Sequence, residues 1–253
     1  WLIESSGWRS ALTWLGLSLT LVLLALAFTV RDRPRPDEHE TRSAAAAQHR
    51  TGGPAQAPLP AIGVAGLMRS GLFWTVSIAA ALGMAVPTAI SVSLVPLVQE
   101  RGFSAMQGAS LIAASAAGAI AGKLLVSLLA DRFDRTLLLT MLILLVAVPA
   151  AGFVLGDSFV VLGALTALLG FATGVIAPLF YTLLADRFGV ETFGTVRGMV
   201  APVTAVISAI GVRFIGEMHD LTGDYRLGLQ ILVAVSVCAA LIMLASSKVA
   251  LSP

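Results

Sequence analysis

The chain has 253 residues, of which 57% are hydrophobic and 12% charged, with a net charge of +2. Soluble domains carry about 25% charged residues, so this composition is that of a membrane protein, and nothing in its charge points to nucleic acid. The one cysteine, Cys238, lies in an apolar run and excludes an intrachain disulfide. The three histidines are scattered through hydrophilic segments, and no metal-ligand cluster, phosphate loop or nucleophile elbow is present. No cofactor, metal or enzymatic activity is expected.

Apolar runs near 20 residues, the length that crosses about 30 Å of hydrocarbon as a helix, occur seven times. They cover about 10–30, 72–98, 107–130, 137–155, 159–184, 195–216 and 227–246. The first follows "WLIESSGW" with neither an initiator methionine nor a signal-peptide cleavage site, so the chain is read as a fragment lacking its N-terminus. Residues 31–69 are rich in Pro, Ala, Gly and charge without apolar periodicity, and are predicted to form a flexible linker. Six closely spaced helices follow, in the pattern of one bundle's last helix (1–30), an inter-bundle linker (31–69) and a complete second bundle (70–253). Ser104 and Gln107 are placed to form a capping box at the start of the third run. Pro178 and Pro202 fall inside spans, which membrane helices tolerate. Gly118 and Gly122, and Gly170 and Gly174, lie one turn apart and permit close helix approach.

Orientation follows from lysine and arginine, which cytoplasmic loops retain. Eleven fall on one side: Arg31, Arg33, Arg35, Arg42, Arg50, Arg69, Arg132, Arg135, Arg187, Arg197 and Lys248. Only Arg9, Arg101 and Arg226 fall on the other. The long linker, the 131–135 turn and the C-terminus are therefore expected in the cytoplasm, in a plasma or inner membrane.

Lys123 is conspicuous inside the third run. Eight residues put it about 12 Å from Asp131 along a helix, near the middle of the membrane. A lysine at that depth costs about 2.5–3.5 kcal/mol and normally faces a cavity or a partner. Ala116, Ala119 and Ser127 share its face, whereas Leu125, Leu128 and Leu129 cover the opposite one. Substrate-anion binding and a structural ion pair both account for it. No acid lies deep in any apolar run of this chain, so such a pair would draw its acid from elsewhere.

Several segments resemble the major facilitator superfamily. "SLLADRFDR" is similar to its G-x-x-x-D-R-x-G-R signature through Asp131, Arg132 and Arg135, with Ser127 and Asp134 standing where glycine is usual. "FYTLLADRFGVETFGTVRGMV" resembles the turn between the tenth and eleventh helices in the monocarboxylate-porter and oxalate–formate-exchanger branch. "IGEMHDLTGDYR" resembles that branch's loop before the twelfth helix through Gly216, Asp220, Thr222, Gly223 and Tyr225. The resemblance implies helices six to twelve of a twelve-helix, all-α transporter that works by alternating access, with the missing N-terminal six-helix bundle supplying half of the site.

It further implies a small anionic substrate, because porters of this branch carry a binding arginine on the eighth helix at the position of Lys123. Exchangers of the branch pair that cation with one on the eleventh helix, which makes Arg213 the second candidate; a surface ion pair with Glu217 explains Arg213 equally well. The signature charges Asp131, Arg132 and Arg135 are implied to latch the cytoplasmic side, with turn capping as the simpler alternative. Tyr181 and Thr204, with Thr88, Ser91 and Thr173, are candidates to line the cavity or to bond to helix backbone. The partners expected are the small-molecule substrate, membrane lipid and the missing N-terminal bundle, and not nucleic acid. A drug exporter or neutral-solute transporter of the same fold is the alternative function. A seven-helix receptor or retinal protein is the remote alternative, and the last span lacks the lysine a retinal protein needs.

Overall fold

The computed structural model describes residues 63–129, 132–189 and 192–246, with several residues between 10 and 24. Its contacts divide the chain into two compact units, 1–57 and 58–253. In the first unit the described residues are helical, and the Thr20 hydroxyl donates to the Gly16 carbonyl at 2.7 Å. Residues 31–62, Asp131 and Lys248 lie outside the described residues.

The second unit is all helix among its described residues: α1 (Val64–Arg69), α2 (Gly71–Gln99), α3 (Ala105–Leu129), α4 (Arg135–Leu155), α5 (Phe159–Phe188), α6 (Phe193–Thr222) and α7 (Arg226–Ser246). Six of these, α2 to α7, are long and apolar enough to cross a membrane. They alternate in direction, so the 132–134 turn and the α5–α6 turn share one end, called here the DRF end. The turns at 100–104, 156–158 and 223–225 share the far end.

Residues 64–69, placed by composition in the linker, instead form α1, because Leu67 is fully buried and the Trp74 indole donates to the Met68 carbonyl at 3.0 Å. The helix starts follow side-chain caps. The Ser104 hydroxyl accepts from the Gln107 N–H at 3.2 Å while the Gln107 side chain accepts from the Ser104 N–H at 2.8 Å, completing the expected box. Asp134 caps α4 by accepting from the Leu137 N–H at 2.8 Å. Pro87, Pro96, Pro149, Pro178 and Pro202 all sit inside continuous helices, each leaving the carbonyl four residues back without its usual donor.

Packing is arranged about an approximate twofold relation between α2–α4 and α5–α7. The closest pairs are α3 with α5, α2 with α6, and α4 with α7. Exchanging the two triplets maps the first pair onto the second and the third onto itself. Helix α2 is central: 61% of its apolar window is buried, against 11% for α6, which lies at the edge.

The α3–α5 seam is made by the glycines. A methyl at Gly170 would stand 1.9 Å from the Ser115 carbonyl oxygen, and one at Gly118 2.0 Å from that of Ala167. Gly122 and Gly174 meet Phe171 and Ala119 backbone in the same way. Backbone here packs on backbone, which no side chain could permit.

The far end is closed by polar groups. Arg101 donates to the Gly156 carbonyl at 2.6 Å and to the Phe153 carbonyl, capping the last turn of α4. Burial lowers the pKa of its guanidinium, against the pull of Asp157 and Glu100. Helix α6 runs six residues past the predicted span end at 216, because Arg213 pairs with Glu217 at 2.7 Å and His219 bonds to Glu100, the residue that caps α2. It stops at Gly223, whose φ of 77° is the left-handed cap that glycine favours. Tyr225 then stacks on His219 at 4.5 Å.

The seam makes a testable claim. Gly170→Ala gains about 1 kcal/mol of helix propensity but forces the helices apart, at a cost of about 1–3 kcal/mol. Thermal unfolding of the detergent-purified protein is expected to show a lower Tm for Gly170→Ala. Gly163→Ala, which meets only Leu111 Cδ2 at 3.8 Å, is expected to keep or raise it. A second expectation concerns alkali. Burial, then the charges of Glu100 and Asp220, raise the Tyr225 phenol above its ordinary 10.0. Stability from the neutral phenol is complete below pH 10 and falls as pH rises beyond it through the folded value. Tyr225→Phe is expected to remove that part of the alkaline loss in a Tm–pH series.

Candidate functional site

Two depressions of about 340 Å³ flank α5, one on each side. The first lies among α2, α5 and α6, lined by Met84, Pro87, Thr88, Thr173, Ile176, Ala177, Thr204, Ala205 and Ser208. The second lies between α3 and α5, lined by Lys123, Val126, Ser127, Val175, Pro178, Leu179 and Thr182. It begins where the glycine seam ends: Gly122 is the last tight notch of α3, and Lys123 follows it.

Lys123 is exposed and has no hydrogen bond or ion pair among the described residues. It stands six residues, about 9 Å, from the end of α3 and as far from the helix centre, nearer the DRF end than a mid-membrane position. The Ser127 hydroxyl donates to the Leu124 carbonyl at 2.8 Å, and that of Thr182 to the Pro178 carbonyl at 2.8 Å. Each hydroxyl donates its proton to its own helix, so only the acceptor capacity of its oxygen remains. Lys123 is the sole cation lining either depression among the described residues.

The first cavity has no charged lining. Thr88, Thr173 and Thr204 bond to the carbonyls of Met84, Gly170 and Ala201 at 2.7, 3.0 and 2.8 Å, so the backbone bonding anticipated for them occurs on the cavity wall itself. Ser208 joins them and was not anticipated; its place one turn after Thr204 was the available signal. Ser91 lines neither cavity. Tyr181 is half-buried beyond both, with the Arg197 guanidinium 4.7 Å over its ring. Arg213 is not brought to Lys123: it is exposed and held by Glu217, and lines neither cavity.

The charged turn resolves unevenly. Arg135 pairs with Asp186 on α5, an interaction not anticipated. Arg187 donates to the Ser246 carbonyl at 2.9 Å and to the Thr136 hydroxyl at 3.0 Å, tying α5 to α7 and α4. Phe188 is fully buried against Phe73. The signal for this clamp was internal repetition, since "LLADRF" stands at both 128–133 and 183–188. In the first copy Arg132 is exposed and Phe133 is 55% exposed.

The model of the Major Facilitator Superfamily matches residues 1–212. The chain belongs to the Major Facilitator Superfamily. No curated protein matches it. Among solved structures, the Escherichia coli fucose:proton symporter FucP, as a single-residue variant, aligns with a TM-score of 0.66 at 16% identity, covering 90% of this chain and 53% of that one. FucP in its outward conformation aligns with the same TM-score and identity, with 90% and 52% covered. At such identity the likeness is one of fold, and this superfamily member spans about half the length of those transporters. Its apolar helices and family make it a multi-pass membrane protein.

The two arginines of the turn are expected to differ in weight. The Arg135–Asp186 pair is 32% and 47% exposed, and such pairs contribute about 0–1 kcal/mol. Arg187 is part-buried with two acceptors, where charge-assisted bonds contribute about 1.5–3 kcal/mol. Arg187→Ala is therefore expected to lower the Tm several degrees more than Arg135→Ala in the same detergent.

Proposed function

We propose that this chain forms the second half of a secondary transporter that moves a small organic anion by alternating access, with the residue 70–253 helices as its C-terminal bundle. The bundle that would complete the twelve-helix fold, a linker between the two that ends where α1 begins, and a cytoplasmic placement of the DRF end in a plasma or inner membrane belong to the same reading. Lys123 carries it. An ammonium without an ion-pair partner among the described residues, in a depression whose other polar side chains are two hydroxyls, is a site short of negative charge. A carboxylate would supply that charge. Lysine offers a point charge rather than the bidentate fork of arginine, so it attracts carboxylates without selecting one geometry. The likeness of 180–200 and 215–226 to the monocarboxylate and oxalate–formate branch supports the same substrate class. Arg213, held by Glu217, has a weaker claim to the ligand.

One observation favours a second reading, a neutral hydroxylated solute. The cavity among α2, α5 and α6 is lined by Thr88, Thr173, Thr204 and Ser208 and by no charge, a surface suited to a polyol.

Uptake of labelled lactate, oxalate and succinate into proteoliposomes of the full-length transporter separates the two. Lys123→Gln is expected to reduce carboxylate uptake at least tenfold, a loss of about 1.4 kcal/mol or more, while the protein remains monodisperse. Uptake equal to wild type would make Lys123 structural and leave the neutral-solute reading.

A further inference from the structure

We infer that Arg197, seated on the ring of Tyr181, is a second anion-binding position, at the DRF end of the cavity among α2, α5 and α6. The inference rests on the anion reading above and adds a residue to it.

Position comes first. Arg197 precedes Thr204 and Ser208 by seven and eleven residues, about two and three turns of α6, so at 3.6 residues per turn all three share one face. Tyr181 follows Thr173 and Ala177 by two turns and one turn of α5 on the same principle. Arg197 and Tyr181 therefore continue the two walls of the cavity toward the DRF end, with Arg197 about 10 Å beyond Thr204. At 4.7 Å the guanidinium closes over the ring between those walls.

Chemistry comes second. The ring holds the guanidinium by its face, through attraction of the cation to the π-cloud. A guanidinium held over a ring face keeps its N–H donors, which match a carboxylate. Arg197 is exposed and has no hydrogen bond or ion pair among the described residues. Asp186, five residues after Tyr181 on α5, is engaged by Arg135. An arginine with no ion-pair partner among the described residues thus stands on the cavity-lining faces of α5 and α6 toward the DRF end, where an anion approaching along those faces from that end meets it first.

The test is tracer transport by the full-length transporter in oriented proteoliposomes, with lactate, oxalate and succinate presented separately to each face. Arg197→Gln is expected to raise KM about tenfold at the DRF face while leaving KM at the other face and the maximal rate within about twofold. Tyr181→Leu frees the guanidinium and is expected to raise the same KM by a smaller factor. Arg197→Lys, which keeps the charge without the planar fork, is expected to lie between wild type and Arg197→Gln. A merely structural role would change the maximal rate and both faces alike, and that result overturns the inference. If Lys123→Gln abolishes uptake while Arg197→Gln leaves KM unchanged at the DRF face, the Arg197 position falls and the anion reading stands. If wild type carries none of the three carboxylates, both fall together.

Discussion

The arrangement depends on one contact, the passage of α3 across α5 with backbone against backbone at Gly118, Gly122, Gly170 and Gly174. In lipid, apolar side chains gain little by leaving the hydrocarbon for each other, so helices associate where their surfaces fit. Four glycines produce such a fit, and the carbonyls of Ser115, Ala119, Ala167 and Phe171 fill the notches. Sliding one helix along the other by a single residue would drive carbonyls into side chains. Helices α3 and α5 therefore behave as one body. That rigidity fixes where Lys123 stands relative to Pro178 and Thr182, one residue beyond the last notch.

The seam also answers how the bundle holds a lysine within a spanning helix. No acid among the described residues offsets the insertion cost of about 2.5–3.5 kcal/mol, since none of them pairs with Lys123. What the structure provides is room and acceptors: a depression of about 340 Å³ with the Ser127 and Thr182 oxygens on its wall. Its position midway between the helix centre and the DRF end also shortens the distance to water. A charge kept in solvated space at moderate cost remains available to a ligand, whereas one locked in a buried pair is not.

Much of this was legible in the chain. Runs of hydrophobic residues located every spanning helix of the second unit, because hydrocarbon thickness sets their length. Their ends were less legible where polar residues stay helical, as at 217–222, since hydropathy marks the edge of apolar sequence and not the last hydrogen bond. The spacing of the glycine pairs announced close packing but not that the two pairs meet each other. Helical spacing placed Ser127 beside Lys123, both on α3; Thr182 reaches the same depression from α5, and only tertiary packing brings it there. Arg213 shows the opposite case: its charge was visible, but the Glu217 one turn away, equally visible, was the partner that holds it.

The hexapeptide LLADRF shows most sharply where such reading stops. It occurs at the DRF ends of both α3 and α5, with identical residues and therefore identical propensities. In the second copy Phe188 is fully buried and Arg187 ties α5 to two neighbours. In the first copy Arg132 and Phe133 are exposed. Nothing within the six residues distinguishes these outcomes. The difference lies in what surrounds each helix: α5 packs against α3, α4, α2 and α6, whereas α3 is in contact with α5 and α2 alone among its larger neighbours. A part-buried arginine needs acceptors, and these come from Thr136 on α4, which packs against α5, and from the Ser246 carbonyl at the end of α7, which packs against α4; neither α4 nor α7 packs against α3. A motif thus specifies the groups on offer, and topology decides which of them are consumed in holding the bundle together.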